Sequence, residues 1–89
     1  MISEKIFIIN RLGLHARAAA KLVATAGRYQ ANISVVCKGK TANAKSIMAI
    51  MMLAASQNTE VELRAEGEDE KQALSAMIEL IQDKFGEEA

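Results

Sequence analysis

His15 is the only histidine among 89 residues. It stands in "GLHARAAAKLV" (13–23), two positions ahead of Arg17, where an alanine-rich helix should begin. An imidazole at a helix start feels the positive end of the dipole, which disfavours the protonated ring and leaves a nitrogen free as a nucleophile. A phosphoryl group accepted there would meet the backbone N–H groups of Ala16, Arg17 and Ala18, and the Arg17 guanidinium could add charge-assisted hydrogen bonds. Gly13 would let the chain turn sharply and keep bulk away from the ring, as a site approached by another protein requires. One histidine beside one arginine also fits an ordinary surface position, so spacing alone leaves both readings open.

Other chemistries are poorly supplied. No second histidine is present and Cys37 falls in the inward phase of a strand, so no metal site is expected. The chain has no glycine-rich phosphate loop, no serine or cysteine with a spaced histidine base, and carboxylates that fall on solvated strand and helix faces. No cofactor is expected, and a reactive histidine without its own substrate pocket implies that other proteins carry the phosphoryl donor and acceptor. Eleven basic and eleven acidic side chains cancel, and Phe7, Tyr29 and Phe85 are the only aromatics, which argues against nucleic acid as a partner. The longest apolar run, Ile47 to Ala55, is too short to span a bilayer, so no membrane insertion is expected. One unpaired cysteine fits a reducing compartment, and the cytoplasm is the expected location.

The elements that must position His15 follow from periodicity. "EKIFIIN" (4–10) reads as a strand, and the helix after it, ending near Gly27, turns Ala19, Leu22, Val23 and Ala26 to the core. Ile33, Val35 and Cys37 alternate with Ser34, Val36 and Lys38, and Gly39 turns the chain into a short strand over 41–43. In 59–66, Val61, Leu63 and Ala65 oppose Glu60, Glu62, Arg64 and Glu66, so one sheet face is wet and the sheet is antiparallel. The last helix carries Leu74, Met77, Ile78, Ile81 and Phe85 on one stripe, with Asp69 as its cap and Glu70 in its first turn. The result is one α+β domain over 1–89, ordered βαββαβα, with helices covering one face of a four-stranded sheet.

"NAKSIMAIMMLAAS" (43–56) has more apolar surface than one face can bury. With Ser46 as N-cap, Ala49, Ile50 and Leu53 share one side, and Ile47, Met48, Met51 and Met52 take the other. The second side is either core or reserved for a partner, and methionines suit a surface that repacks against several partners.

With these residues in view, the chain resembles the histidine-containing phosphocarrier family, HPr, of the phosphoenolpyruvate-dependent sugar phosphotransferase system, and its nitrogen-regulatory relative. "LGLHARAAAKLV" and "KSIMAIMMLAA" carry the match, "VELRAEGEDE" supports it, and the likeness covers essentially the whole chain. It implies an open-faced β-sandwich with sheet order 1-4-2-3 and three helices on one face. It implies that His15 is phosphorylated at Nδ1 by enzyme I, charged from phosphoenolpyruvate, and donates to enzyme II A-type components. Arg17 matches the family's phosphate-interacting arginine. Ser46 matches the serine modified in some bacteria by a dedicated kinase/phosphorylase. The implied docking patch includes Ala20, Ile47, Met48 and Met51. Ala18 replaces the family's usual proline, which relaxes the first helical turn and leaves one more donor.

Three functions compete. The leading one is a stoichiometric carrier, not an enzyme, expected to be a monomer. The second is a nitrogen-type regulatory module controlled through His15 or Ser46, and the third a ferredoxin-like small-ligand domain for which no pocket residues speak.

Overall fold

Alternation of apolar and polar side chains builds the sheet. The computed structural model describes all residues from Met1 to Ala89. Four strands, β1 (Ile2–Phe7), β2 (Asn32–Cys37), β3 (Lys40–Asn43) and β4 (Glu60–Glu66), form one antiparallel sheet in the order β1-β4-β2-β3. Val61, Leu63 and Ala65 of β4 are buried, and so are Ile33, Val35 and Cys37 of β2. The opposite face is open, with Lys5 of β1 paired beside Glu62, and Ser34 of β2 beside Arg64. Lys38 (φ 50°) and Gly39 (φ 81°) make the two-residue left-handed turn that matches strand twist and joins β2 to β3.

Three helices lie on the covered face: α1 (Ala16–Ala26), α2 (Ile47–Met52) and α3 (Glu70–Gln82). They close 23 buried apolar residues into one cluster running from Ile8 to Phe85. The α+β class, the open sheet with its 1-4-2-3 order and the three helices agree with the reading from sequence.

Some boundaries differ. The first strand covers Ile2–Phe7, not 4–10, because strand length is set by the partner: Phe7 pairs with Glu60, the first residue of β4. Beyond it, Ile8 only exchanges bonds with Asn58 and Thr59, at 2.6 and 2.9 Å, as the chain leaves the sheet. Gly27 does end α1, but with right-handed backbone (φ −66°), and Val23 is half-buried against the core. Asp69 precedes α3 without capping it. Its carboxylate accepts the N–H groups of Gln30 and Ala31 at 2.9 and 2.8 Å, since the exposed ends of a neighbouring segment compete for it. Ile78 is only half-buried, and Phe85 lies past the end of α3, in a short 3₁₀ turn over Lys84–Gly86. There its left-handed backbone (φ 56°) swings a buried ring into the core by another route than the helix stripe.

Candidate functional site

Gly13 sets the approach to the site. Its φ of +67° suits glycine, and a Cβ there would meet the Ala55 carbonyl oxygen at 2.5 Å and the Ser56 Cα at 2.8 Å. The missing side chain therefore makes room for the loop after α2, not for access to the imidazole as the sequence suggested. Leu14 is buried and its N–H donates to the Ala55 carbonyl at 2.9 Å, which fixes the residue before His15.

His15 is the N-cap of α1. Its backbone is extended (φ −73°, ψ 177°), its carbonyl accepts the Ala19 N–H at 2.8 Å, and its Nδ1 accepts the Arg17 N–H at 3.2 Å. A nitrogen that accepts a hydrogen bond carries its lone pair, so Nδ1 is the unprotonated atom of the neutral ring. Ala16 and Arg17 are exposed, and the Ala16 and Ala18 N–H groups make no hydrogen bond within the chain. Ala18 itself has no exposed surface. Arg17 reaches into the same shallow, open depression as His15, lined also by Arg11, Leu12, Glu87 and Glu88. The structure thus brings together one nucleophilic nitrogen, the Ala16 N–H, the Arg17 N–H now donated to that nitrogen, and the unpaired guanidinium groups of Arg11 and Arg17, a set suited to a phosphoryl group.

Glu87 was missed. No spacing marks it as more than a solvated carboxylate, yet Glu87 Oε2 accepts from His15 Nε2, and its Oε1 accepts the Asn10 Nδ2–H at 3.0 Å. The Asn10 hydrogen bond holds the Glu87 carboxyl below the usual glutamate range, with His15 and Lys21 acting in the same direction against partial burial. Seventy-two residues separate Glu87 from His15, so no local spacing could have paired them. The one signal in the sequence was Asn10, a polar residue ending an apolar run, and it is completely buried.

The second region singled out lies on α2. Ser46 is half-buried and its Oγ accepts the Ala49 N–H at 3.3 Å. Ile50 and Leu53 are buried and Ala49 is half-buried, whereas Ile47, Met48, Met51 and Met52 are exposed, Met48 by 64% and Met52 by 71%. The apolar surplus is therefore surface, and Ala20 of the adjoining α1 is exposed as well. Cys37 is buried and free. No group of three or more histidine, cysteine, aspartate or glutamate side chains is placed to hold a metal, and no helix is long and apolar enough to cross a membrane.

Comparison with known proteins bears on the same residues. Residues 2–83 match the family described as the PTS HPr component phosphorylation site. The phosphocarrier protein HPr of Pseudomonas aeruginosa is 52% identical over 88 residues, covering 98% of each chain. The crystal structure of HPr from Thermoanaerobacter tengcongensis superposes with a TM-score of 0.96 at 49% identity, over the whole of both chains. A dimer structure of that protein matches with a TM-score of 0.79 over 98% of this chain and all of the other.

Proposed function

This chain belongs to the HPr family of phosphotransferase-system phosphocarriers, and from that membership we propose that His15 is the residue that carries the phosphoryl group. Nδ1 attacks the phosphorus held by enzyme I, and the same nitrogen later yields the group to an enzyme II A-type component. The observation that carries this reading is the Arg17 N–H donated to His15 Nδ1, because it marks that nitrogen as the bearer of the lone pair. When phosphorus takes the lone pair, this N–H is released toward the phosphoryl oxygens. The exposed Ala16 and Arg17 donors and the Arg17 guanidinium then stabilise the dianion, with the Ala18 N–H deeper behind them.

The protein acts stoichiometrically, without cofactor, as one phosphocarrier domain over 1–89; the single core supports that extent. It works in the cytoplasm and as a monomer, whatever the assembly of its relatives. Ala20, Ile47, Met48 and Met51 form the docking surface for enzyme I and the downstream acceptor, which their exposure supports. Ser46 is the position a dedicated kinase/phosphorylase would modify, since phosphate there would set a dianion inside that docking surface.

The test is incubation with phosphoenolpyruvate and enzyme I, followed by intact mass before and after mild acid. Wild type should gain one acid-labile phosphoryl group and His15→Ala none, with its fold retained by circular dichroism. Acid-labile phosphate on His15→Ala would refute the assignment.

A further inference from the structure

Asn10 and Glu87 belong to none of the motifs above, yet they grip the far side of the histidine. We propose that Glu87, oriented by Asn10, is a positioning residue for the relay: it keeps the His15 proton on Nε2, so that Nδ1 is the nucleophile in uptake and the ring departs carrying that same proton in donation. This rests on His15 being the carrier.

The hydrogen bonds around the ring leave one arrangement. Nδ1 accepts from Arg17, so on a neutral ring the proton sits on Nε2 and is donated to Glu87 Oε2. Glu87 Oε1 takes one Asn10 N–H at 3.0 Å, and the other Asn10 N–H goes to the Gly13 carbonyl at 2.9 Å. Turned over, the amide would aim Oδ1 at both of those oxygens, so the acceptors fix its orientation. In the orientation present, Oδ1 is buried without a partner, a desolvation penalty with no return at that atom. The amide is thus aligned for Glu87 and Gly13 at the expense of its own oxygen.

The backbone that delivers Glu87 is also unfavourable by itself. Lys84, Phe85 and Gly86 have φ of 55°, 56° and 79°, three left-handed residues in succession, two of them with side chains that disfavour the conformation. Burial of Phe85 and a 2.6 Å bond from Lys21 Nζ to the Phe85 carbonyl hold the reversal. Its product is a carboxylate against the imidazole, and Asn10 keeps that carboxylate ionised.

The chemistry balances without proton exchange. In uptake, the Nδ1 lone pair forms the P–N bond as the donor's bond to phosphorus breaks, its electron pair leaving with the donor atom. The ring then bears the phosphoryl group, the Nε2–H and a formal positive charge, which the Glu87 carboxylate neutralises. In donation, the acceptor's nucleophile bonds to phosphorus, the Nδ1–P bond breaks, and its pair returns to Nδ1 on a neutral ring with Nε2–H in place. Without Glu87 the phosphorylated ring can lose that proton to water, and the deprotonated ring is a poorer leaving group.

The experiment is ¹⁵N NMR of the imidazole in the unphosphorylated protein, in mildly alkaline buffer, for wild type, Glu87→Ala and Asn10→Asp. Wild type should show the Nε2–H tautomer alone, and both variants a mixture with Nδ1–H. Onward transfer to the downstream acceptor should fall about ten-fold, the lower end of the loss seen when the carboxylate behind a metal-bound histidine is removed. An unchanged tautomer in a folded Glu87→Ala protein, with its acid-labile adduct intact, overturns this inference alone. Absence of any adduct in wild type overturns the carrier reading and this inference with it.

Discussion

Two helices of this protein begin in nearly the same way and then diverge. At α1 the extended residue His15 accepts the Arg17 N–H on Nδ1 at 3.2 Å; at α2 the extended residue Ser46 accepts the Ala49 N–H on Oγ at 3.3 Å. Neither helix has an acidic residue in its first turn. Past the cap, α1 turns buried Ala18, Ala19 and Leu22 inward, while α2 presents four large apolar side chains to solvent. The deeper difference lies on the side away from the helix, where Glu87 meets the imidazole and no side chain bonds the serine hydroxyl. A helix start supplies donors and a dipole anywhere in a protein. Under the proposed function, what makes one of them a phosphoryl site is a nucleophile gripped from behind, a cation beside it, and a neighbouring surface on which a partner can rest.

The cation gives the largest expected effect among residues beside the nucleophile. Arg17→Ala leaves the cap in place, because the bond to Nδ1 comes from the backbone N–H. It removes a charge that stabilises the phosphoryl group during transfer as well as afterwards, so the barrier to uptake should rise by about 2 to 4 kcal/mol, roughly 30- to 1,000-fold in rate. Rapid-quench measurement of phosphoryl uptake from enzyme I decides it, and a rate within a factor of about three of wild type would remove Arg17 from the site.

The apolar surface of α2 comes next. Met48→Glu and Met51→Glu each place a charge where the structure shows exposure, so melting temperature should change little. Affinity for enzyme I should weaken about ten-fold or more, as for an apolar residue near the centre of an interface. Titration calorimetry alongside thermal melts separates the outcomes: stable variants with full affinity would move the docking surface elsewhere.

Ser46→Ala sharpens the comparison at its other end. Loss of the Oγ bond to Ala49 should cost about 1 kcal/mol of stability, the usual value for a serine N-cap. Uptake on His15 should continue at the wild-type rate, since Ser46 makes no bond to the other helix start. Urea denaturation and the mass assay together report both quantities.

These regions were unequally legible in the sequence. The helix starts and the buried stripes of β2 and β4 could be read from local spacing, because each depends on neighbours within a few residues; spacing also marked the apolar surplus of α2 but left open whether it was core or surface. The extent of β1 could not, since it is fixed by where β4 begins. Asp69 looked like a cap because local rules rank aspartate there; its carboxylate instead crosses to Gln30 and Ala31, 39 and 38 residues away in sequence. Glu87 was hidden for a related reason: its place beside His15 depends on three left-handed residues and on Phe85, whose inward ring imitates one more turn of α3. Local patterning thus singled out His15 and Arg17, while Glu87, behind the ring, required the assembled chain.

Asp69 and Glu87 yield the smallest effect, and it separates fold from site. Both carboxyls are held below their ordinary range, Asp69 chiefly by the Gln30 N–H, with Ala31 and Lys45 adding to it against partial desolvation, and Glu87 chiefly by Asn10. A carboxyl that ionises more readily when folded makes the unfolded chain the stronger proton binder at low pH. Its contribution is full above the unfolded value, near pH 4, and is lost as pH falls through the lower folded one. Asp69→Asn should therefore be less stable than wild type at neutral pH, and the gap should narrow below about pH 4 as wild-type Asp69 takes up its proton. Because Asp69 ties the start of β2 to α3, phosphoryl uptake at neutral pH should be unaltered in that variant. Glu87→Ala should show a similar narrowing of its stability gap together with a changed imidazole tautomer. If Asp69→Asn also shifts the tautomer, the two carboxylates belong to one coupled device; if it does not, the fold and the relay use the same kind of bond independently.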